Sequence, residues 1–357
     1  MSGNLSQLAK NPIFFERNRV FRVYTGGKLF HEFFGDANED GFLPEEWIAS
    51  SVRALNRDST NQYEGVSKIR DTDVYLNDLM ESQHELMLGN RENFGILVKI
   101  LDSAVRLPVQ AHPDKEFSRK YFHSEFGKAE AWIVLATRED AKIYFGFNGA
   151  MSKERFLDAV ERSETEKDAM EELLNVIPAK PGDVYFIPPN AVHAIGYGCL
   201  ILEVQEPTDF TIQPEAWCGD YKLNDYEKYL GLDKSTALDC FDYSVFGEAS
   251  VALGRKTPKL LKNEPGMVSE SLIGSDDTSC FALNRHKIDG AQLQELSAPA
   301  VYIVTSGEGQ LFGADGYSNK LKKGDYFFLP ACIDKKCSVS GNALELVECL
   351  PPNSAVI

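Results

Sequence analysis

A chain of 357 residues, 43% hydrophobic and 25% charged, has the composition of a folded globular protein long enough for two or three domains. Its 54 acidic residues outnumber 37 basic ones for a net charge of −17, and no Lys/Arg block offers the basic face of a nucleic-acid binder. No run approaches the ~20 apolar residues of a membrane span, and "MSGNLSQLAKNPIFFERNRV" lacks a signal-peptide core, so the sequence reads as soluble and cytoplasmic. The seven cysteines are scattered and form no CxxC, which fits reduced, mostly buried thiols.

Residues 1–20 read as an N-terminal extension, and residues 45–56 ("EEWIASSVRALN") and 72–90 as helical. The runs "ILVKIL", "EAWIVLAT", "AKIYFGF", "DVYFIPP" and "CLILEVQE" are short, rich in β-branched and aromatic residues, and punctuated by Gly, Pro, Asn and Asp; they read as strands. Residues 152–177 read as a helix capped by Ser152, with Phe156, Leu157 and Val160 on one face and Met170, Leu173 and Leu174 on one face. The acidic middle Ser163–Glu166 is a break point, and Pro178 ends the run. Residues 214–240 read as loop with helix, and strands return from about 280 to the end.

The chain echoes itself. "GDVYFIPPNAVH" (Gly182–His193) and "GDYFFLPACIDK" (Gly324–Lys335) share one frame, and upstream "EAWIVLAT" aligns with "AVYIVTSG", setting Glu130 against Ala300. The longer spacing in the first copy is accounted for by residues 151–178, the proposed helical insertion. His193 has Lys335 as its counterpart, so only the first copy carries polar residues fit for a site.

Gln110 and His112 stand two apart in an extended stretch and therefore share a face. With Glu130 at the head of one strand and His193 after a Pro-Pro turn, they make a set of two imidazoles, a carboxylate and an amide. That set suits a borderline divalent ion, zinc first, with manganese, iron or cobalt as alternatives. Taken singly, each residue has an ordinary structural role: a hydrogen-bonded core histidine, a buried amide, a strand-end ion pair. The combination, absent from the second copy, favours a metal. His31, His84, His123 and His286 have no such context and read as surface or packing residues.

These motifs resemble the cupin superfamily and, within it, the bacterial branch of the type I mannose-6-phosphate isomerase family. The resemblance rests on "LVKILDSAVRLPVQAHPDK" (97–115), "GKAEAWIVL" (127–135) and "GDVYFIPPNAVHAIGYGCLILEVQEPTDFTI" (182–212), with support from "EEWIASSVRALN" and "LDCFDYS". It implies a mainly β fold of two cupin-type, jelly-roll-like β-barrel units: a catalytic domain over 21–245 with the helical insertion at 151–178, and a ligand-free cupin-like domain over 246–357. It implies Zn2+ held by Gln110, His112, Glu130 and His193. Lys128 then stabilises the substrate or assists proton transfer, and Glu203 is a candidate acid/base or a neighbour of the metal site. Lys99, Arg106 and position 213 meet the phosphorylated sugar. The implied reaction interconverts mannose 6-phosphate and fructose 6-phosphate, by a monomer or homodimer with no nucleic-acid or membrane partner. One departure stands out: the branch pattern "EPTDYTIR" reads "EPTDFTIQ" here, so Gln213 replaces an arginine and brings no charge. Lys222 or Arg255 would be needed to compensate. The alternatives are a cupin of this family that binds a different sugar or binds without catalysis, and an iron dioxygenase-type cupin, which leaves the Lys-x-Glu element unexplained.

Overall fold

A computed structural model describes residues 2–56 and 60–352. The fold is mainly β. One sheet runs in spatial order Arg255–Lys256, Val184–Ile187, Glu130–Thr137, Cys199–Gln205, Leu97–Asp102, Glu45–Ile48 and Arg19–Val20. A second runs Ile13–Phe14, Tyr326–Leu329, Ala300–Phe312, Ser338–Leu350, Ala282–Ile288, Met267–Ile273 and Lys259–Glu264, with Gln292–Leu293 and Ser318–Lys322 paired off this path. All these pairings are antiparallel. Among the described residues no helix is long and apolar enough to cross a membrane, and all seven cysteines are free.

The period-two alternation of the strands decides what goes where. In the first sheet Val98, Ile100, Ala131, Ile133, Val184, Phe186, Leu202 and Val204 face the second sheet. There they pack with Leu283, Val301, Ile303, Phe328, Val347 and Cys349 in one apolar core. The alternate positions, among them Leu101, Trp132, Val134, Tyr185, Ile187 and Ile201, turn inward. There they meet Ile143, Phe145, Ile177 and Ile195 of a small sheet formed by Leu174–Pro178, Lys142–Phe147 and His193–Ile195. Lys99, Glu130 and Glu203 occupy this inner register.

The echo in the sequence is a repeated strand register. Glu130 faces Ile187 and Ala300 faces Leu329; Glu203 stands between Trp132 and Lys99, and Glu348 between Tyr302 and Asn284. Strands are also exchanged between the sheets. The early strand Ile13–Phe14 closes the edge of the second sheet, and Arg255–Lys256 closes the same edge of the first.

Two sequence expectations are corrected. The stretch 45–56 is not helical: Glu45–Ile48 is a fully buried strand, because Glu45 and Trp47 point to the inner face while Ile48 joins the core between the sheets. The helix expected over 152–177 spans only Lys153–Arg162, with Ser152 Oγ capping it by accepting from the Arg155 N–H. A 3-10 turn follows at Glu171–Leu173, and Leu174–Pro178 is a strand paired with Lys142–Phe147. Pairing with Lys142–Phe147 outweighs the helical spacing of Met170, Leu173 and Leu174 there. The helices Leu76–Ser82 and His84–Leu88 match the region 72–90.

Inside the second sheet, Glu348 accepts from Tyr302 Oη (2.6 Å) and Asn284 Nδ2 (2.7 Å), and lies 3.5 Å from His286 Nε2. Burial opposes its ionisation, but His286, Asn284 and Tyr302 pull its pKa from 4.5 down to about 2. A depressed carboxylate supplies stability that is complete above its unfolded pKa and lost as pH falls through the folded one, here on the order of 3 kcal/mol. Glu348→Gln is therefore expected to flatten the pH dependence of unfolding between about pH 4.5 and 2, followed by denaturant titration. Leu202→Ala, in the core between the sheets, should cost about 2–5 kcal/mol, whereas Leu260→Ala, 62% exposed, should stay within about 0.5 kcal/mol.

Candidate metal centre

Two strands and one extended segment bring the cluster together. Glu130 opens its strand on the inner face and His193 opens the strand His193–Ile195 of the small sheet. Gln110 and His193 exchange backbone hydrogen bonds of 2.9 Å in both directions, and Ala111 does the same with Ile212. That pairing makes 110–112 strand-like, so Gln110 and His112 face one way while Ala111 packs into the core with Val109.

His112 Nε2 lies 3.2 Å from Glu130 Oε2, and His193 Nε2 lies 3.4 Å from Glu130 Oε1. The ligating atoms of the three residues all fall within 4.8 Å of one another, and all three side chains are buried. Each ring is oriented through its other nitrogen: His112 Nδ1 meets the Phe210 carbonyl and His193 Nδ1 the Ala191 carbonyl, both at 2.9 Å. A carbonyl only accepts, which assigns the proton to Nδ1 and leaves a lone pair on each Nε2. Two lone pairs and a carboxylate thus converge in a buried place. Lys128 Nζ, 3.1 Å from His112 Nε2 and 3.3 Å from Glu130 Oε2, is a donor to them. His193 Nε2 is buried with no hydrogen-bond partner. This set of acceptors can hold a metal ion.

The electrostatics agree. Burial and the Lys128 charge hold His112 below the ordinary imidazole range. Burial and the neighbouring His112 push His193 down to about 3. Burial works against Glu130, yet His112 and Lys128 hold its carboxyl well below the usual range. At neutral pH the cluster is two neutral rings and a carboxylate, the protonation state a cation needs.

Behind it lies a second buried network. Lys99 Nζ is 2.9 Å from Glu203 Oε1 and 3.8 Å from Glu45 Oε2. Trp132 Nε1 donates to Glu203 Oε2 (3.1 Å), and Glu45 accepts from Trp47 Nε1 and Tyr24 Oη, each at 2.7 Å. Burial and the charge of Glu130 push Glu203 up to about 7, with Lys99 opposing. Burial disfavours the Lys99 charge, but Glu203 and Glu45 raise its pKa above the ordinary value.

A cavity of about 160 Å³ opens onto both groups. Of the residues singled out in the sequence, Lys99, Gln110, His112, Lys128, Glu130, Glu203 and Gln213 line it. Arg106 does not: its guanidinium forms a fork with Glu215 (2.8 and 2.6 Å) and a pair with Glu171 (2.9 Å). Nor do Lys222 and Arg255, which pair with Glu164 and Asp183. Sequence reasoning missed Arg22, Tyr24, Glu45 and Asp209, which also line the cavity. Reading "EEWI" with period two would have placed Glu45 and Trp47 on one face; Arg22 and Asp209 carry no local signal.

Residues 37–142 match the family model described as phosphomannose isomerase type I, catalytic domain. Mannose-6-phosphate isomerase ManA of Bacillus subtilis is 31% identical over 259 residues, covering 71% of this chain and 75% of that protein. The chain belongs to the type I phosphomannose isomerase family. A mannose-6-phosphate isomerase of Streptococcus mutans is 28% identical over 330 residues, 90% of this chain and 93% of that one. The crystal structure of the Bacillus subtilis mannose 6-phosphate isomerase superposes with a TM-score of 0.74 at 24% identity, covering 95% of this chain and 99% of that chain. The family match contains Lys99, Gln110, His112, Lys128 and Glu130, whereas His193 and Glu203 come from beyond it.

Substitution of His112 or His193 by Ala should abolish stoichiometric metal, measured by elemental analysis of purified protein, with the circular dichroism spectrum retained. Because both rings titrate below 6.5, protons compete weakly with the ion at that pH. Metal is expected to stay bound at neutral pH and to leave only in acidic buffer.

Proposed function

We propose that the chain is a metal-dependent aldose–ketose isomerase that interconverts mannose 6-phosphate and fructose 6-phosphate through an enediol. The observation that carries this reading is the buried cluster of His112, Glu130 and His193 beside a cavity that His112, Glu130, Lys128 and Glu203 line. It is supported by family membership and by the relatives named mannose-6-phosphate isomerase.

The ion we favour is Zn2+, held by His112, Glu130 and His193 with the Gln110 amide oxygen as fourth ligand, since nitrogen and carboxylate donors without thiolate suit a catalytic zinc. When bound, it supplies a Lewis acid at the sugar carbonyl and hydroxyl. The chain's own residues do the rest. Glu203, buried and poised near neutrality, is the group that moves the proton between C1 and C2. Lys99 holds that carboxylate in place. The Lys128 ammonium faces the oxygen on which enediolate charge develops. Two cupin-type units, 21–245 and 246–357, the second without ligands, belong to the same reading, with the short strands Ile13–Phe14 and Arg255–Lys256 exchanged across that boundary, and unpaired thiols fit a cytoplasmic setting. A second reading, in which the cavity binds a different sugar or binds without turnover, draws on Gln213, whose amide donates to the Glu227 carbonyl (2.9 Å) and brings no charge to the cavity.

A coupled assay on protein of known metal content tests the reading. Turnover of mannose 6-phosphate without O₂, abolished by chelator and restored by zinc, is the expected result; full activity of metal-free protein would overturn it. Glu203→Gln should lower kcat by roughly 10²–10⁴-fold while metal content is unchanged. Since Glu203 must be ionised to accept a proton, kcat should fall as pH drops through its pKa. A bound dication moves that value below 7, so the acid limb should lie on the acid side of neutrality.

A further inference from the structure

The cavity divides into a buried floor and an exposed rim. Two of its lysines lie at the floor: Lys128 against His112 and Glu130, Lys99 against Glu203. Their side chains are 5% and 6% exposed. At the rim stand Leu55 and Tyr226, each 43% exposed, together with Asn56, Asp209 and Gln213. Arg22, which also lines the cavity and whose side chain is 13% exposed, is tied to this rim through Asn56 and Asp209.

Its fork is rigidly set. Arg22 Nη1 donates to Asn56 Oδ1 (3.1 Å) and Nη2 to Asp209 (3.1 and 3.2 Å), while Nε lies 3.1 Å from Glu45 Oε1. Its guanidinium lies 5.3 Å from the centre of the Trp47 ring. Asp209 also accepts from the Leu55 N–H (3.0 Å), tying the rim segment to the fork. A guanidinium has five N–H donors; Nη1 uses one of its two on Asn56, leaving the other for a ligand. A hexose 6-phosphate that places C1 and C2 at the floor carries its phosphate at the other end of the carbon chain, toward the rim. There Gln213 offers only an amide already bound to Glu227.

Resting on the isomerase reading above, we propose that Arg22 is the residue that binds the phosphate of the substrate. Asp209, Asn56 and Glu45 orient its fork, and this contact selects a phosphorylated sugar over the neutral one.

The test measures turnover and, by calorimetry, binding of mannose 6-phosphate and of inorganic phosphate to zinc-loaded wild type, R22Q, R22K and the double variant R22Q/Q213R. R22Q is expected to weaken mannose 6-phosphate binding and raise its KM by about ten- to a hundredfold, with a smaller change in kcat. R22K should recover part of the loss. R22Q/Q213R, which returns a cation to the rim, should recover binding without restoring the original tether. An R22Q protein that keeps its affinity for mannose 6-phosphate and for inorganic phosphate within twofold of wild type overturns the proposal. So does one that loses kcat and thermal stability while KM stays put, because that is the signature of a merely structural arginine. Should R22Q fail to fold, R22K carries the decision: unchanged KM and phosphate affinity together with lowered melting temperature count against the proposal, and weakened phosphate binding at unchanged melting temperature counts for it. Wild type that binds mannose 6-phosphate through Arg22 yet does not isomerise it would overturn the isomerase reading and leave the phosphate site standing. Isomerisation that is indifferent to Arg22 would do the reverse.

Discussion

Enclosing ionised groups inside a β-sheet interior is the constraint on which this structure turns. Glu45, Glu130 and Glu203 are all almost fully buried, and a carboxylate in that setting costs several kcal/mol unless a partner offsets it. Lys99, Lys128 and Arg22 supply the partners, and each stands on or next to a strand that already carries one of the acids. Even so, the cluster of His112, Glu130 and His193 keeps an excess of acceptors over donors, with His193 Nε2 left without a partner. A site that leaves a buried acceptor unpaired against its own stability is shaped for a cation.

The second sheet shows what the same backbone register does without that demand. Glu348 occupies the position of Glu203 and keeps an aromatic donor, Tyr302 in place of Trp132. At the other positions the chemistry is replaced: Asn284 for Lys99, Ser269 for Glu45 and Ala300 for Glu130. A buried acid with an aromatic hydrogen-bond donor is thus a feature of the fold. The lysine, the second carboxylate and the glutamate between the two imidazoles are what the first sheet adds. Glu203 consequently sits near 7, between the Lys99 charge and the Glu130 charge, while Glu348, with neutral donors and His286, is held at about 2. Two acids in one register have been given opposite protonation behaviour by their neighbours alone.

Strand exchange couples the two halves. The edge of each sheet is closed by a short strand that leads into the other half of the chain, and the faces that the two sheets turn toward each other share one apolar core. Glu46 illustrates the coupling: it pairs with Arg19 (2.5 Å) and accepts from the Tyr326 hydroxyl of the second sheet. It adjoins Glu45, which faces the cavity from the opposite side of the same strand. The second sheet therefore braces the strand that bears the site without contributing a ligand to it.

The three residues that meet in the buried cluster, His112, Glu130 and His193, were legible because their chemistry is local. Gln110 and His112 declare a shared face by spacing, Glu130 and His193 sit at strand ends marked by Gly and Pro, and the internal echo separates the copy with a site from the copy without one. The strand at Glu45–Ile48 and the strand at Leu174–Pro178 were read as helix, since short runs of apolar and acidic residues satisfy both periods until a partner strand chooses between them. The sequence by itself thus determined the mainly β character, the repeat and the acceptor set for a cation. Only the tertiary structure decided which cations face it. Arg106, chosen for its charge, is held elsewhere by Glu215, whereas Arg22, far away in sequence from Asp209, meets it across the cavity. Ion pairs of that kind depend on where strands from distant segments end, and no periodicity along a chain records that distance.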